Sequence, residues 1–460
     1  MNSMPPPASI RPGMYRQMKV ASTDSTVTTR TLFVFWLPLL ATWLMMSVEG
    51  PFLAAIIARL ADPKFNLAAY GVAFSLALMV ESPIIMMMSA STALVSDRTS
   101  YLRLRNFTSM LNGGITLLML ILIIPPVFSF LAEDLIGLPV EVARLTHLAT
   151  AILLPWPGAI GFRRFYQGLL IRHNLTRRVA YGTIVRLGSM AGTALLAVMY
   201  TDLPGAAVGA VALSAGVSIE AAASRVMVHS TVRRLLNSVD DPAPAMSYRS
   251  IFTFYYPLAM TSMLALGVHP MITFFLGQSR MPLESLAVMP VINSLVFIFR
   301  SFGLSYQEVA IARFGKHMEH FAVVRNFAVG LGVAAITGLA LITMTPLADF
   351  WFLDLSGLSP LLALFAVLPA QILVLIPGTS VLLSFQRSVL VATKRTGPVT
   401  LATILEVGFI IVTLAIAIMV FDAVGAVAAA IALVTGRLVA NAWLTPPMLR
   451  AVRDAKEIPS

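Results

Sequence analysis

The chain has 460 residues, of which 58% are hydrophobic and 12% charged, with a net charge of +11. Soluble domains carry roughly 25% charged residues and must cover themselves with polar groups, so this composition excludes a soluble globular protein. There is no cysteine, which excludes disulfides, thiolate metal sites and cysteine nucleophiles. Each bilayer-spanning helix takes roughly 20 apolar residues, so the length holds about ten to fourteen of them.

Residues 1–30 form a polar tail with Pro5, Pro6 and Pro7 and a Ser/Thr run from Ser22 to Thr29. A secretory signal has a short apolar core before its cleavage site. The first apolar run here, Thr31 to Leu60, is too long for that, and the tail reads as disordered and retained. Six helical spans follow at 31–60, 67–95, 107–131, 142–162, 180–200 and 206–230, forming an N-terminal lobe over 31–230. A polar, proline-rich linker covers 231–250. A C-terminal lobe over 251–446 then carries spans at 251–278, 283–311, 327–349, 361–384, 399–420 and 425–446, before a tail at 447–460. The fold class expected is an all-α polytopic membrane protein of twelve transmembrane helices.

Charge sets the orientation. Alternate connections hold Arg98, Arg103 and Arg105; Arg163, Arg164, Arg172, Arg177 and Arg178; then Arg233, Arg234 and Arg249. The series continues with Arg313, Lys316 and Arg325, with Arg387, Lys394 and Arg395, and with Arg450, Arg453 and Lys456. With the tail included, 24 of the 32 Lys and Arg lie on one side, against Arg59, Lys64, Arg144 and Arg280 on the other. The positive-inside rule then puts both termini in the cytoplasm, with a multi-pass inner or plasma membrane location. The positive charge is a topology signal, and nucleic acid drops out as a partner. Two sequons, Asn106 to Thr108 and Asn174 to Thr176, fall in connections expected to be cytoplasmic. The steps Gly188–Gly192 and Gly205–Gly209 read as close helix packing. No P-loop, zinc-binding helix or serine nucleophile motif occurs, so neither an enzyme nor a cofactor is expected.

Shifting the chain by 219 places superimposes its halves: Pro38 falls on Pro257, Pro51 on Pro270, and Tyr166-Gln167 on Phe385-Gln386. One residue of slippage later, Asp202 and Gly205 answer Asp422 and Gly425. Each repeat has six spans, so both halves share one orientation about an axis along the membrane normal. That is a parallel-repeat transporter arrangement, with substrate between the lobes near the midplane.

Ionisable groups within spans are costly and mark function. Arg186 with Glu220 or Arg225, and Glu406 with Arg437, are expected to pair within their own lobes. Glu81 and Arg300 are symmetry mates at the same offset, and are expected to face one another across the axis as a bridge, either a moving gate or a permanent strut. Glu49 and His269 sit beside Pro51 and Pro270. A proline frees a carbonyl in the preceding turn, which makes both residues candidates for coupling H+ or Na+, or for plain interhelical hydrogen bonds. His147 and His229 lie near span ends and read as packed or interfacial.

Leu67–Leu76 (LAAYGVAFSL), Tyr255–Gly277 (YYPLAMTSMLALGVHPMITFFLG) and Gly168–Asn174 (GLLIRHN) resemble segments of the progressive ankylosis protein family. That family belongs to the multidrug/oligosaccharidyl-lipid/polysaccharide (MOP) exporter superfamily. The resemblance implies two six-helix lobes and export of small polyanions such as pyrophosphate, nucleotides or citrate. The chain departs from the animal members by carrying His269 where they have Arg before the second proline of span seven. The expectation is therefore a monomeric secondary transporter in the lipid bilayer that exports a small organic or phosphate-containing anion. Arg300, Glu81 and His269 would hold the substrate, and Glu49 and His269 would serve ion coupling. The rivals are a cation-coupled multidrug extruder, a lipid-linked sugar flippase and, last, a non-transporting scaffold.

Overall fold

The computed structural model describes residues 28–173, 175–237, 247–315, 318–393, 395 and 397–457. The tail before residue 28 and the middle of the expected linker, 238–246, lie outside these residues, as do Lys316, Lys394 and the sequon residue Asn174. Among the described residues the chain is helical, with no β-strand. Eleven helices are long and apolar enough to cross a membrane, and a twelfth span comes from Arg98–Leu122 and Pro125–Leu135, bent by 78°.

In chain order, span 1 is Thr29–Ala58, and span 2 is Pro63–Glu81 continued by Met87–Leu94. Spans 3 to 6 are Arg98–Leu122, Val140–Arg172, Arg177–Tyr200 and Gly205–Met227. Spans 7 to 12 are Tyr248–Gly277, Pro282–Arg313, Phe321–Thr343, Pro360–Ala392, Gly397–Val420 and Gly425–Glu457.

Local chemistry sets where these helices start and stop. Pro63 and Pro282 open spans 2 and 8, a position where the missing N–H costs nothing. Asp97 caps span 3: its carboxylate accepts from the Ser100 N–H at 2.7 Å, while the Ser100 hydroxyl accepts from the Asp97 N–H at 3.0 Å. Span 2 breaks after Glu81, where Pro83 cannot donate into a continuing helix. Span 7 recaptures the freed carbonyls. The Ser262 hydroxyl donates to Ser82 O at 2.7 Å and the Tyr255 hydroxyl to Pro83 O at 2.6 Å.

The internal repeat extends into these details. π-helical segments Phe130–Leu135 and Phe350–Leu355 occupy matching places, each followed by a glycine at positive φ, Gly137 and Gly357. At the start of span 6 the Ala206 N–H donates to Asn66 Oδ1 at 2.9 Å. At the start of span 12 the Ala426 N–H donates to Ser285 Oγ at 3.0 Å.

The lobes exchange their first spans. The Trp36 indole of span 1 donates to Ser305 Oγ of span 8 at 2.8 Å, while Tyr255 and Ser262 of span 7 hold span 2. Midway through the bundle spans 2 and 8 touch so closely that a Cβ on Gly71 would come within 2.6 Å of Pro290. At the end remote from the chain's N-terminus, Lys64 pairs with Glu284 at 2.6 Å and Gln278 donates to Leu135 O at 2.8 Å. Arg59, one lobe over, donates to the carbonyls of Asp354 and Leu355. Residues 59 and 278, like 135 and 355, are repeat mates, so the clasp is reciprocal. The remote end of the bundle is therefore joined across the two lobes.

Three boundaries differ from the sequence reading. Arg163, Arg164 and Arg387, assigned to connections, lie inside spans 4 and 10. The helices there run past the points where polar residues begin, because those residues bury against charges of opposite sign or against hydroxyls. The start of the expected linker is a helix, His229–Leu236, and span 12 continues through the expected tail to Glu457.

Candidate functional site

Two clusters of intramembrane charge flank the plane between the lobes. In the N-terminal lobe Glu220 is fully buried on span 6 and accepts from Arg163 of span 4 at 2.6 Å and from Gln167 at 3.0 Å. Arg163 and Gln167 are four apart on one helix, so both side chains reach the same carboxylate. Arg186 of span 5 lies 3.6 Å from Glu220 and donates to Glu49, at the restart of span 1 ahead of Pro51. Glu81 is 3% exposed, and the charges acting on it most strongly are those of Arg164, then Arg163 and Arg186. Its Oε2 has no hydrogen-bond partner among the described residues. Three carboxylates (Glu49, Glu81, Glu220) are thus matched in number by three guanidiniums (Arg163, Arg164, Arg186).

The C-terminal lobe is built differently. Arg437 of span 12 donates to Glu406 of span 11 at 2.6 Å and to Ser380 Oγ of span 10 at 2.6 Å. Arg387, on span 10, donates to the Thr403 hydroxyl at 3.3 Å and has no acidic partner among the described residues. Arg300, on span 8, has neither a hydrogen bond nor an ion pair among the described residues, and its Nε is buried without a partner. The charges acting on Arg300 are Arg437, Glu406 and Arg387, and Arg300 in turn acts on His269. Arg300, Arg387, Arg437 and Glu406 are all half-buried, and His269 is exposed. His269 lies on the face of span 7 that also carries Ser262 and Thr273, each hydrogen-bonded to span 2. It therefore faces the space between the lobes. An unpaired guanidinium at this depth is tolerable only where it meets water or an anion.

The structure brings together Glu406 with Arg437 and Arg186 with Glu220, and adds Glu49 to the second pair. It does not join Glu81 to Arg300: no ion pair links them among the described residues. Repeat symmetry fixes where a backbone position lies, whereas the side chain turns to whichever neighbour its own lobe supplies. For Glu81 the strongest such charge is that of Arg164, and the residue at the matching place in span 10 is an uncharged serine, Ser384. Among the described residues Arg225 has no acidic partner either, and its guanidinium lies over the Tyr166 ring at 5.5 Å. His147 hydrogen-bonds Ile123 O at 2.7 Å, a packed role. Arg163, Arg164 and Arg387 escaped sequence reasoning as site residues. The available signal was the four-residue step from Arg163 to Gln167 and the repeat pair Gln167 and Gln386.

No family model matches the chain, and neither does any curated protein. Solved structures do resemble it. A multidrug resistance MATE family transporter of the MOP superfamily, in an inward-facing conformation, superimposes with a TM-score of 0.71 at 13% identity, over 91% of this chain and 96% of the other. The lipid II flippase MurJ, in an inward closed conformation, gives 0.67 at 13% identity, over 91% and 90% of the two chains. A MOP superfamily transporter from Pyrococcus furiosus, whose binding pocket has reverse polarity, gives 0.64 at 14% identity, over 94% and 98%. The chain therefore has the two-lobed, twelve-helix fold of MOP superfamily transporters.

Proposed function

We propose that the protein is a secondary transporter that exports a small organic or phosphate-containing anion by alternating access between its lobes. The observation that carries this reading is Arg300: a half-buried guanidinium with no hydrogen bond or ion pair among the described residues, in a cluster where cations outnumber carboxylates. Such a group binds carboxylate or phosphate through paired N–H donors. A cationic drug would meet like charge there. The basic end of the bundle is taken as cytoplasmic from the Lys and Arg asymmetry, so the clasped end is external and the state is inward-facing. The inward-facing and inward closed conformations of two of the similar solved structures support this. The resemblance to progressive ankylosis proteins points to the same substrate class.

Coupling to H+ or Na+ is placed at Glu49, whose bond to Arg186 has to open for the carboxylate to accept an ion. The test is flux into liposomes holding the purified protein. Anionic probes such as pyrophosphate and citrate should be taken up against a preloaded anion, and Arg300→Gln should abolish uptake. Uptake of a cationic dye without any anion would establish the multidrug reading instead. Movement of a lipid-linked diphosphate sugar alone would establish the flippase.

A further inference from the structure

The outer face of the N-terminal lobe carries a groove that the proposed transport does not use. It lies between spans 4 and 6 and holds about 490 Å³. Gly158, Ala159, Phe162 and Tyr166 line one side, and Ala222 and Arg225 line the other. We infer that this groove binds an anionic phospholipid, whose phosphate meets Arg225 while one acyl chain lies along the two helices.

The packing of each span shows which way the groove faces. On span 4, Arg163 and Gln167 turn to span 6, whereas Arg164 and the Gly168 carbonyl turn to span 2. Gly158 approaches Thr116 of span 3. The groove residues take the remaining side, opposite span 2. On span 6, Gly209 and Gly216 pack on spans 1, 2 and 5, and Ala222 and Arg225 lie on the opposite face. Span 2 is the element that touches spans 7 and 8. The groove therefore looks away from the other lobe and into lipid, with Phe162 and Ala222 exposed along it.

Its length fits one leaflet. Pro155, at the inner end, lies near the middle of span 4. From there to Tyr166 is eleven residues, a rise of about 16 Å along a helix. That is close to half of a hydrocarbon layer roughly 30 Å thick. Arg225 stands two residues before the end of span 6, on the basic side of the bundle. Gly158, Ala159 and Ala222 leave the trough free of bulky side chains, so an acyl chain can lie against the helix surfaces.

Arg225 selects the headgroup. It is half-buried and has no hydrogen bond or ion pair among the described residues. The Tyr166 ring, 5.5 Å from its guanidinium, steadies the cation but supplies no acceptor oxygen. The N–H donors remain for a phosphodiester. No carboxylate lines the groove, so the ammonium of a zwitterionic headgroup finds no partner there. Arg105 of span 3 stands over Tyr101 at 5.9 Å, and Tyr101 packs on Phe165 beside Tyr166. A further guanidinium thus adds to the positive potential at this end, as at other basic sites for anionic lipids.

The test uses the full chain in liposomes doped with phosphatidylglycerol or phosphatidylcholine, each with the same diazirine-bearing acyl chain. Crosslinks are mapped by mass spectrometry. Phosphatidylglycerol should label residues 155–162 and 218–222 about fivefold more than phosphatidylcholine, the effect of roughly one cation on an anionic lipid. Arg225→Gln should bring the two yields level. Ala222→Phe fills the trough without touching the cation, and should lower both yields. Glycerol phosphate, a headgroup without chains, should not compete. Equal labelling in the wild type, a preference that survives Arg225→Gln, or crosslinks confined to other spans would overturn the inference. Displacement by glycerol phosphate would overturn it too, by showing a site for free phosphate. Were Arg225→Gln not to fold, the wild-type map and Ala222→Phe would still decide.

Discussion

The two lobes share a backbone plan and differ in how they treat charge. Spans 5 and 11 are repeat mates, yet one carries Arg186 and the other Glu406 at the matching place. In the first lobe Arg186 bridges Glu49 and Glu220, tying spans 1, 5 and 6, while Arg163 draws in span 4. In the second lobe Glu406 satisfies one arginine, and two others, Arg300 and Arg387, have no acidic partner among the described residues. A closed network fixes a lobe's internal packing, and an open one is available to a ligand. The same architecture thus yields one half whose buried charges are tied to one another and, on the proposed function, a half free to bind.

Breaking the first lobe should have the largest effect. Glu220 is fully buried with two donors on it. Glu220→Ala strands Arg163, and removing one partner of a buried pair costs about 3–5 kcal/mol. Detergent-solubilised protein should melt at markedly lower temperature or fail to accumulate. Arg300→Gln should behave in the opposite way. It strands no carboxylate, so the melting temperature should stay near wild type while anion flux is lost. A destabilised Arg300→Gln variant with normal flux per folded molecule would erase the distinction between the lobes.

Smaller effects are expected at the clasp. Arg59 and Gln278 each hydrogen-bond carbonyls of the opposite lobe from exposed positions, and such bonds contribute about 0.5–1.5 kcal/mol. Arg59→Ala with Gln278→Ala should release the external end. A single cysteine placed at His269 would then become more reactive toward a membrane-impermeant thiol reagent added outside. The absence of native cysteine makes the readout clean. Unchanged labelling would remove the clasp from the gating account.

The smallest effect concerns Asp97. Its carboxyl is held below the usual carboxylate range by the Ser100 backbone N–H, and the residue is half-buried. A carboxylate depressed in the folded state stabilises the fold above its unfolded value of roughly 4, and loses that contribution as pH falls toward its lower folded value. Asp97→Ala should cost about 1 kcal/mol as a lost cap. The gap between variant and wild-type melting should narrow below that pH.

Much of this architecture is legible in the sequence, because spans, repeat and charge bias each follow from composition along the chain. The mates Pro38 and Pro257 announce the two-lobed plan, and Glu406 with Arg437 reads as a pair because both lie in adjacent spans of one lobe. The substrate side is less legible. Arg163, Arg164 and Arg387 stand where polar residues gather, which resembles the start of a loop, and only the packed structure shows helices burying them. Glu81 and Arg300 sit at symmetric backbone positions. Their side chains answer to non-symmetric neighbours, and no periodicity encodes that choice.

The central claim is that the C-terminal lobe holds an anion. Thermal melting of the purified protein with added anions tests it most directly, since a ligand at about 100 times its dissociation constant stabilises by about 2.7 kcal/mol. Wild-type protein should melt higher with isophthalate or an organic phosphate, and not with a cationic dye. The anion shift should vanish in Arg300→Gln and persist in Arg225→Gln, whose guanidinium lies over Tyr166 in the other lobe. Stabilisation by the cationic dye, or an anion shift that survives Arg300→Gln, would contradict the account.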